Sequence, residues 1–165
     1  MATFQLANMD ARLALLALRY HLARPGAELD PETKQPTAHG LAEVADVLEP
    51  QTGSAVATIE LSEYQRERLL LAISGTMNEL KTYPLLDALP PERGGGRRST
   101  VAGFDATLRG LFPEVAEDPE EAVQLAGHLL ALRRRLGSAT VEPAAAEAGV
   151  RAGRSWWRFW DRRGE

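Results

Sequence analysis

The stretch Thr58-Ile-Glu-Leu-Ser-Glu-Tyr-Gln-Arg-Glu-Arg-Leu-Leu-Leu-Ala-Ile73, continuing to Tyr83, decides the fold class. Val56 to Leu61 reads as a short strand, and the residues from Ser62 to Tyr83 read as a long apolar helix. Leu69, Ile73, Met77 and Leu80 recur at steps of four and three, which sets them on one helical face. Ser62 and Gln65 have the spacing of a capping box, so the helix is expected to begin at Glu63. Gly75 sits mid-helix, where glycine costs about 1 kcal/mol relative to alanine. Either another backbone approaches closely there or the helix bends.

The N-terminus carries a similar arrangement. Thr3 to Leu6 reads as a strand with Phe4 and Leu6 on one face. A helix capped by Asn8 or Asp10 then runs to Pro25-Gly26. Its stripes, Met9, Leu13, Leu16, Tyr20 and Ala23 beside Leu15, Leu18 and Leu22, make a wide buried face, so this helix is expected at the centre. A loop from Pro25 to Pro36 precedes a shorter helix capped by Thr37. Leu41, Val44, Val47 and Leu48 face inward, and Glu49-Pro50 closes it.

Laid over one another, the two stretches share an order of features. Phe4-Gln-Leu6 matches Ile59-Glu-Leu61, and Leu15 to Leu18 matches Leu70 to Ile73. Each helix runs to a proline, Pro25 or Pro84, and each loop holds a Pro-Glu pair, Pro31-Glu32 or Pro91-Glu92. Thr37-Ala-His-Gly-Leu41 answers Thr100-Val-Ala-Gly-Phe104, and both second helices close with Leu-x-Pro, at Pro50 and Pro113. This order predicts a duplicated strand–helix–helix unit, residues 3–50 and 58–113. Two copies are too few for a solenoid and would pair about a local two-fold, strands side by side, helices on one face.

Between the second copy's two helices the run Pro90 to Arg98, rich in glycine and arginine, lacks the Gly-Lys-Ser/Thr ending of a phosphate loop and reads as an exposed linker. Ser99 or Thr100 caps the next helix, with Val101, Phe104, Leu108 and Leu111 at helical spacing. A fifth long helix is expected over residues 119–136. Asp118 caps it, Pro119 takes its first position, and Ala122, Leu125, Leu129, Leu132 and Leu136 form its stripe. Arg133 to Arg135 suit the negative end of its dipole, and Gly137 suits a left-handed cap.

The expected fold is therefore mainly α: two related strand–helix–helix halves joined by a two-stranded ribbon, plus a fifth helix, in one domain over residues 1–137. The alternative is an all-α bundle without a sheet, in which both strands are extended lead-ins. Residues 138–153 read as an Ala/Gly-rich linker and 154–165 as a separate tail.

A chain of 165 residues with 44% hydrophobic and 25% charged residues has the composition of an ordinary globular domain. The absence of cysteine excludes disulfide and thiolate chemistry and leaves a reducing cytoplasm as the default location. No basic region precedes an apolar core at the N-terminus, and no apolar run reaches the ~20 residues a bilayer demands. Chemistry-bearing motifs are equally scarce. His21, His39 and His128 have no second ligand at helical spacing, there is no metalloprotease or calcium motif, and no Gly-x-Ser-x-Gly elbow occurs. No catalytic residue, metal, cofactor or small-molecule ligand is inferred. An enzyme with an unrecognised site stays as an alternative.

Charge and aromatics converge at the C-terminus instead. Residues 1–132 carry a net charge of −8 and residues 133–165 carry +4. All three tryptophans fall within five residues of the segment Arg154-Ser-Trp-Trp-Arg-Phe-Trp-Asp-Arg-Arg-Gly-Glu165. Wound as a helix, Trp156, Trp157, Phe159 and Trp160 occupy an arc of about 160° at 100° per residue. Arg158, Asp161 and Arg162 fall largely opposite, and Arg163 near the arc can snorkel. Rings so grouped must bury somewhere. They fit a groove of their own domain, a partner protein, or the interface of an anionic membrane. The acidic body argues against nucleic acid. The functional expectation is a cytoplasmic, non-enzymatic adaptor or assembly subunit, engaging a protein partner or itself through Trp156, Trp157, Arg158, Phe159, Trp160, Arg162 and Arg163. The alternative is a peripheral membrane protein anchored by the same residues.

Overall fold

The computed structural model describes residues 1–29, 33–35, 40–87 and 101–138. Strand β1 (Ala2–Ala7) leads without a turn into helix α1 (Asn8–Leu22). Helix α2 (Leu41–Leu48) runs into a 3-10 turn, Glu49–Gln51, and then come strand β2 (Val56–Leu61) and the long helix α3 (Glu63–Asp87). Helices α4 (Phe104–Leu111), the single-turn α5 (Glu114–Glu117) and α6 (Glu121–Ser138) complete the order. The protein is mainly helical, with one two-stranded antiparallel sheet. The sheetless bundle is thereby overturned.

The ribbon forms because both strands alternate apolar and polar residues. Phe4 pairs with Ile59 and Leu6 with Ala57, and these four side chains are buried; Thr3, Gln5, Thr58 and Glu60 on the other face are exposed. A two-stranded ribbon is marginal in water by itself, so its apolar face needs a cover. Helices α1 and α2 supply it.

Helix α1 is the centre of the molecule, as its double stripe predicts. Ala11 and every residue from Leu13 to Leu18 are buried, and α1 packs on α2, α3, α4 and α6 as well as on both strands. The predicted face of α3 is also observed: Leu69, Ile73, Met77 and Leu80 are buried, joined by Ala72 and Tyr83. Ser62 and Gln65 make the predicted capping box, with Gln65 N–H donating to Ser62 Oγ at 3.1 Å and Ser62 N–H to Gln65 Oε1 at 2.9 Å. Helix α6 lies against α3 and α1 and closes the core with Ala122, Leu125, Leu129, Leu132 and Leu136.

Several local expectations are corrected. Neither Asn8 nor Asp10 caps α1. The Asn8 amide donates to Thr52 O at 2.6 Å and Ser54 O at 3.0 Å, fixing the turn before β2, and Asp10 pairs with Arg135. Met9 and Val47 turn outward, and Ala45 takes the inward place on α2. Helix α3 does not stop at Pro84 but continues to Asp87. Proline removes one backbone donor there, and burial of Leu80 and Tyr83 offsets that loss. Val101 precedes α4 instead of belonging to it, and Gly103 enters the helix at a φ of 76°, a left-handed value glycine adopts freely.

Helix α6 starts later than Pro119. The N–H groups of Glu121, Ala122 and Val123 reach back three residues, to the carbonyls of Asp118, Pro119 and Glu120, so a 3-10 turn precedes the α-helix. Gly137 is helical, and Arg66 takes over the capping, donating from Nη1 to Leu136 O at 3.1 Å. The two strand–helix–helix segments are packed differently: α2 lies on α1 and β2, α4 on α1 and α5. Thr37, His39, both Pro-Glu pairs, the Pro90–Arg98 linker, the Ser99 and Thr100 caps, most of the 138–153 linker and the whole tail lie outside the described residues.

Candidate functional site

Every residue singled out as partner-binding, Trp156 to Arg163, belongs to that tail, so its geometry begins where the described chain ends. Helix α6 delivers the chain there from a pinned end. Arg135 Nη2 stands 2.5 Å from Asp10 Oδ1, joining the last turn of α6 to the first turn of α1. Arg66 ties the same turn to α3 through Leu136 O and is itself paired with Glu63, which pushes its guanidinium pKa above the usual arginine value. The arginine run was expected to answer the helix dipole, and Arg135 has this specific carboxylate as well. Arg133 and Arg134 are exposed. The last turn of α6 is therefore tied to both α1 and α3.

Two polar clusters sit elsewhere. His21 is buried near the end of α1, with Nε2 at 3.0 Å from Glu28 Oε1. Burial lowers its pKa, and Glu28 opposes that shift without cancelling it. An open cavity of about 460 Å³ lies beside the pair, lined by Arg24, Gly26, Leu29, Lys34 and Arg68. A buried imidazole on a carboxylate has the look of a general base. The other oxygen of Glu28, however, accepts the Leu41 N–H at 2.9 Å, so the carboxylate caps α2. Arg68 donates to Ala27 O at 2.7 Å. These bonds fasten the loop after α1 to α2 and α3, and they account for the cluster structurally. Nothing local in the sequence marks Glu28 as the cap, because thirteen residues separate it from Leu41.

Tyr83 centres the second cluster. Its ring is wholly buried, its hydroxyl donates to Asp105 Oδ1, and Arg109 Nε approaches the same hydroxyl at 3.4 Å. Burial and the adjacent carboxylate push its pKa up to about 12. A phenol held neutral this way joins α3 to α4 and offers no nucleophile near neutral pH. His128 is exposed on α6. Among the described residues no three metal-ligating side chains converge, and no helix is long and apolar enough to cross a membrane. Neither a known family, nor a curated protein, nor a solved structure matches the chain.

Proposed function

We propose that the protein is a non-enzymatic adaptor or assembly subunit of the cytoplasm, which engages a partner protein through Trp156, Trp157, Arg158, Phe159, Trp160, Arg162 and Arg163. The observation that carries this reading is the gathering of all three tryptophans with four arginines in the last twelve residues. Tryptophan and arginine dominate interface hot spots, because a large ring desolvates well and a guanidinium bonds in a fixed fork. The ties of α6 to Asp10 and Arg66 support the reading, since they hold to the body the helix that precedes the tail in the chain. The cluster at His21 supports it too, because Glu28 and Arg68 fasten the loop after α1 to α2 and α3.

We infer also that the body holds two copies of one strand–helix–helix unit. Helices α1 and α3 start fifty-five residues apart, the same offset as Phe4 and Ile59, which face each other in the ribbon. Helices α2 and α4 are both eight residues long. The unequal packing of α2 and α4 is then a later divergence.

Deleting Arg154 to Glu165 tests the tail. The expected result is an unchanged melting temperature with loss of the partner in a pull-down. A lowered melting temperature would assign the tail to the domain's own core, and loss of flotation with anionic liposomes would assign it to a membrane surface.

A further inference from the structure

The two edges of the ribbon are not alike. On β2, Thr58 has both backbone groups occupied by one side chain: its N–H donates to Gln51 Oε1 at 2.9 Å, and its C=O accepts from Gln51 Nε2 at 3.1 Å. Gln51 thus imitates a neighbouring strand, and a further bond to Val47 O at 2.8 Å holds it in place. This also fixes the ladder's phase. Thr58 points its backbone away from β1, so its partner Gln5 points away from β2, and Thr3 and Ala7 do the same by alternation. The bond from Asn8 N–H to Ala55 O at 3.1 Å continues that phase.

On β1 the outward N–H groups of Thr3, Gln5 and Ala7 have no hydrogen-bond partner among the described residues. Exposed edges are commonly guarded by charge, proline or a bulge. Ala-Thr-Phe-Gln-Leu-Ala, β1 itself, contains no charge and no proline, and its pairing with β2 is unbroken over six residues. The β2 edge is plugged at its middle residue, Thr58, and carries the charge of Glu60, whereas the β1 edge is open at all three outward positions among the described residues.

We propose that β1 pairs antiparallel with β1 of a second copy of this chain, giving a closed two-fold dimer with a four-stranded sheet. Hydrogen-bond complementarity selects this occupant. An open antiparallel edge is self-complementary under a two-fold, whereas the plug at Thr58 and the charge of Glu60 on the β2 edges at both ends oppose further growth. The register must match like faces, because a one-residue slip would set Phe4 against a polar neighbour. With Gln5 opposite Gln5 of the second copy, Thr3 meets Ala7 on the exposed face and Phe4 meets Leu6 on the buried face. The apolar layer then runs unbroken across the junction. This dimer is independent of the tail.

Sedimentation of the full chain, with and without Arg154–Glu165, is the first test; both are expected as dimers at about 100 µM, a concentration at which a Kd in the micromolar range is resolved. Gln5→Lys sets like charges opposite each other at the two-fold and is expected to give a folded monomer. Gln5→Cys introduces the chain's single thiol at a bonded pair whose α-carbons lie about 5.5 Å apart, within disulfide reach. Mild oxidation is expected to yield a covalent dimer, and Thr58→Cys is expected to yield none. A wild-type monomer at that concentration, a dimer that survives Gln5→Lys, or a dimer that Gln5→Cys fails to cross-link overturns the proposal. Dimerisation lost only on tail deletion assigns self-association to the tail and overturns it too.

Discussion

The ring of Tyr20 on α1 fills the space that a β-carbon would take at Gly75 on α3: such a carbon would stand 2.8 Å from Tyr20 Cε1. The mid-helix glycine thus admits a side chain of the central helix, and neither a backbone crossing nor a bend is needed to explain it. Tyr20 also packs on Phe104, edge to face with centroids 5.5 Å apart.

Gly75→Ala sets two effects against each other. Alanine gains about 1 kcal/mol of helix propensity. Forcing a methyl into a packed contact costs about 1–3 kcal/mol. A shift of the Tyr20 ring disturbs its packing on Phe104, so the clash is expected to win, with a net loss of about 1 kcal/mol in urea unfolding. In a Tyr20→Ala background the same substitution is expected to stabilise. Equal effects in both backgrounds would show that the ring does not set the cost.

His21 predicts a loss of stability in acid. Its folded pKa lies below its ordinary value of about 6.5, first because of burial, with Arg24 and Arg68 adding to the shift and Glu28 opposing it. The native state therefore favours the neutral ring. That contribution is present above about pH 6.5 and is lost as pH falls through this value towards the folded pKa. Urea midpoints are expected to drop between pH 7 and 5, and His21→Gln, which keeps a donor for Glu28, should flatten that part of the curve. An unaltered slope in the variant would remove His21 as its source.

Tyr83 predicts the opposite limb. Its folded pKa of about 12 exceeds the ordinary value of about 10, so its contribution is present below pH 10 and is lost as pH rises from 10 to 12. Tyr83→Phe keeps the buried ring but removes the hydroxyl shared by Asp105 and Arg109. A loss of about 1–3 kcal/mol at pH 7 is expected, together with disappearance of the alkaline step. Retention of that step in the variant would assign it to another group.

These residues show what the chain discloses before it folds. The long elements were legible because each carries a periodic stripe: Leu13 to Leu18 marks α1, Leu69 to Leu80 marks α3 and Leu125 to Leu136 marks α6. Ser62 and Gln65 were legible because a capping box is local. What sequence did not disclose is long-range bonding. Asn8 reaches Thr52, Glu28 caps Leu41, Arg66 caps α6 from seventy residues away, and Gly75 receives Tyr20. Each is a pairing of one polar or small residue with a distant partner, and no period announces it. The tail is the reverse case, since its composition is plain in the sequence and its contacts lie outside the described residues.

Gln51 offers the sharpest separation of edge protection from stability. Gln51→Ala removes its bonds to Val47 and Thr58, but the site is exposed and water replaces them, so the folded state is expected to lose about 1 kcal/mol. The larger effect should be on association, because the outer β2 edges of the dimer then lose their plug at Thr58 and pairing no longer closes. Species beyond the dimer are expected in sedimentation, rising with concentration. Gln51→Glu divides the two functions. The carboxylate still accepts the Thr58 N–H but cannot donate to its carbonyl, and it adds a charge to the edge. It is therefore expected to cost similar stability while leaving growth stopped at the dimer. Higher species from Gln51→Glu, or none from Gln51→Ala, would show that this side chain does not guard β2.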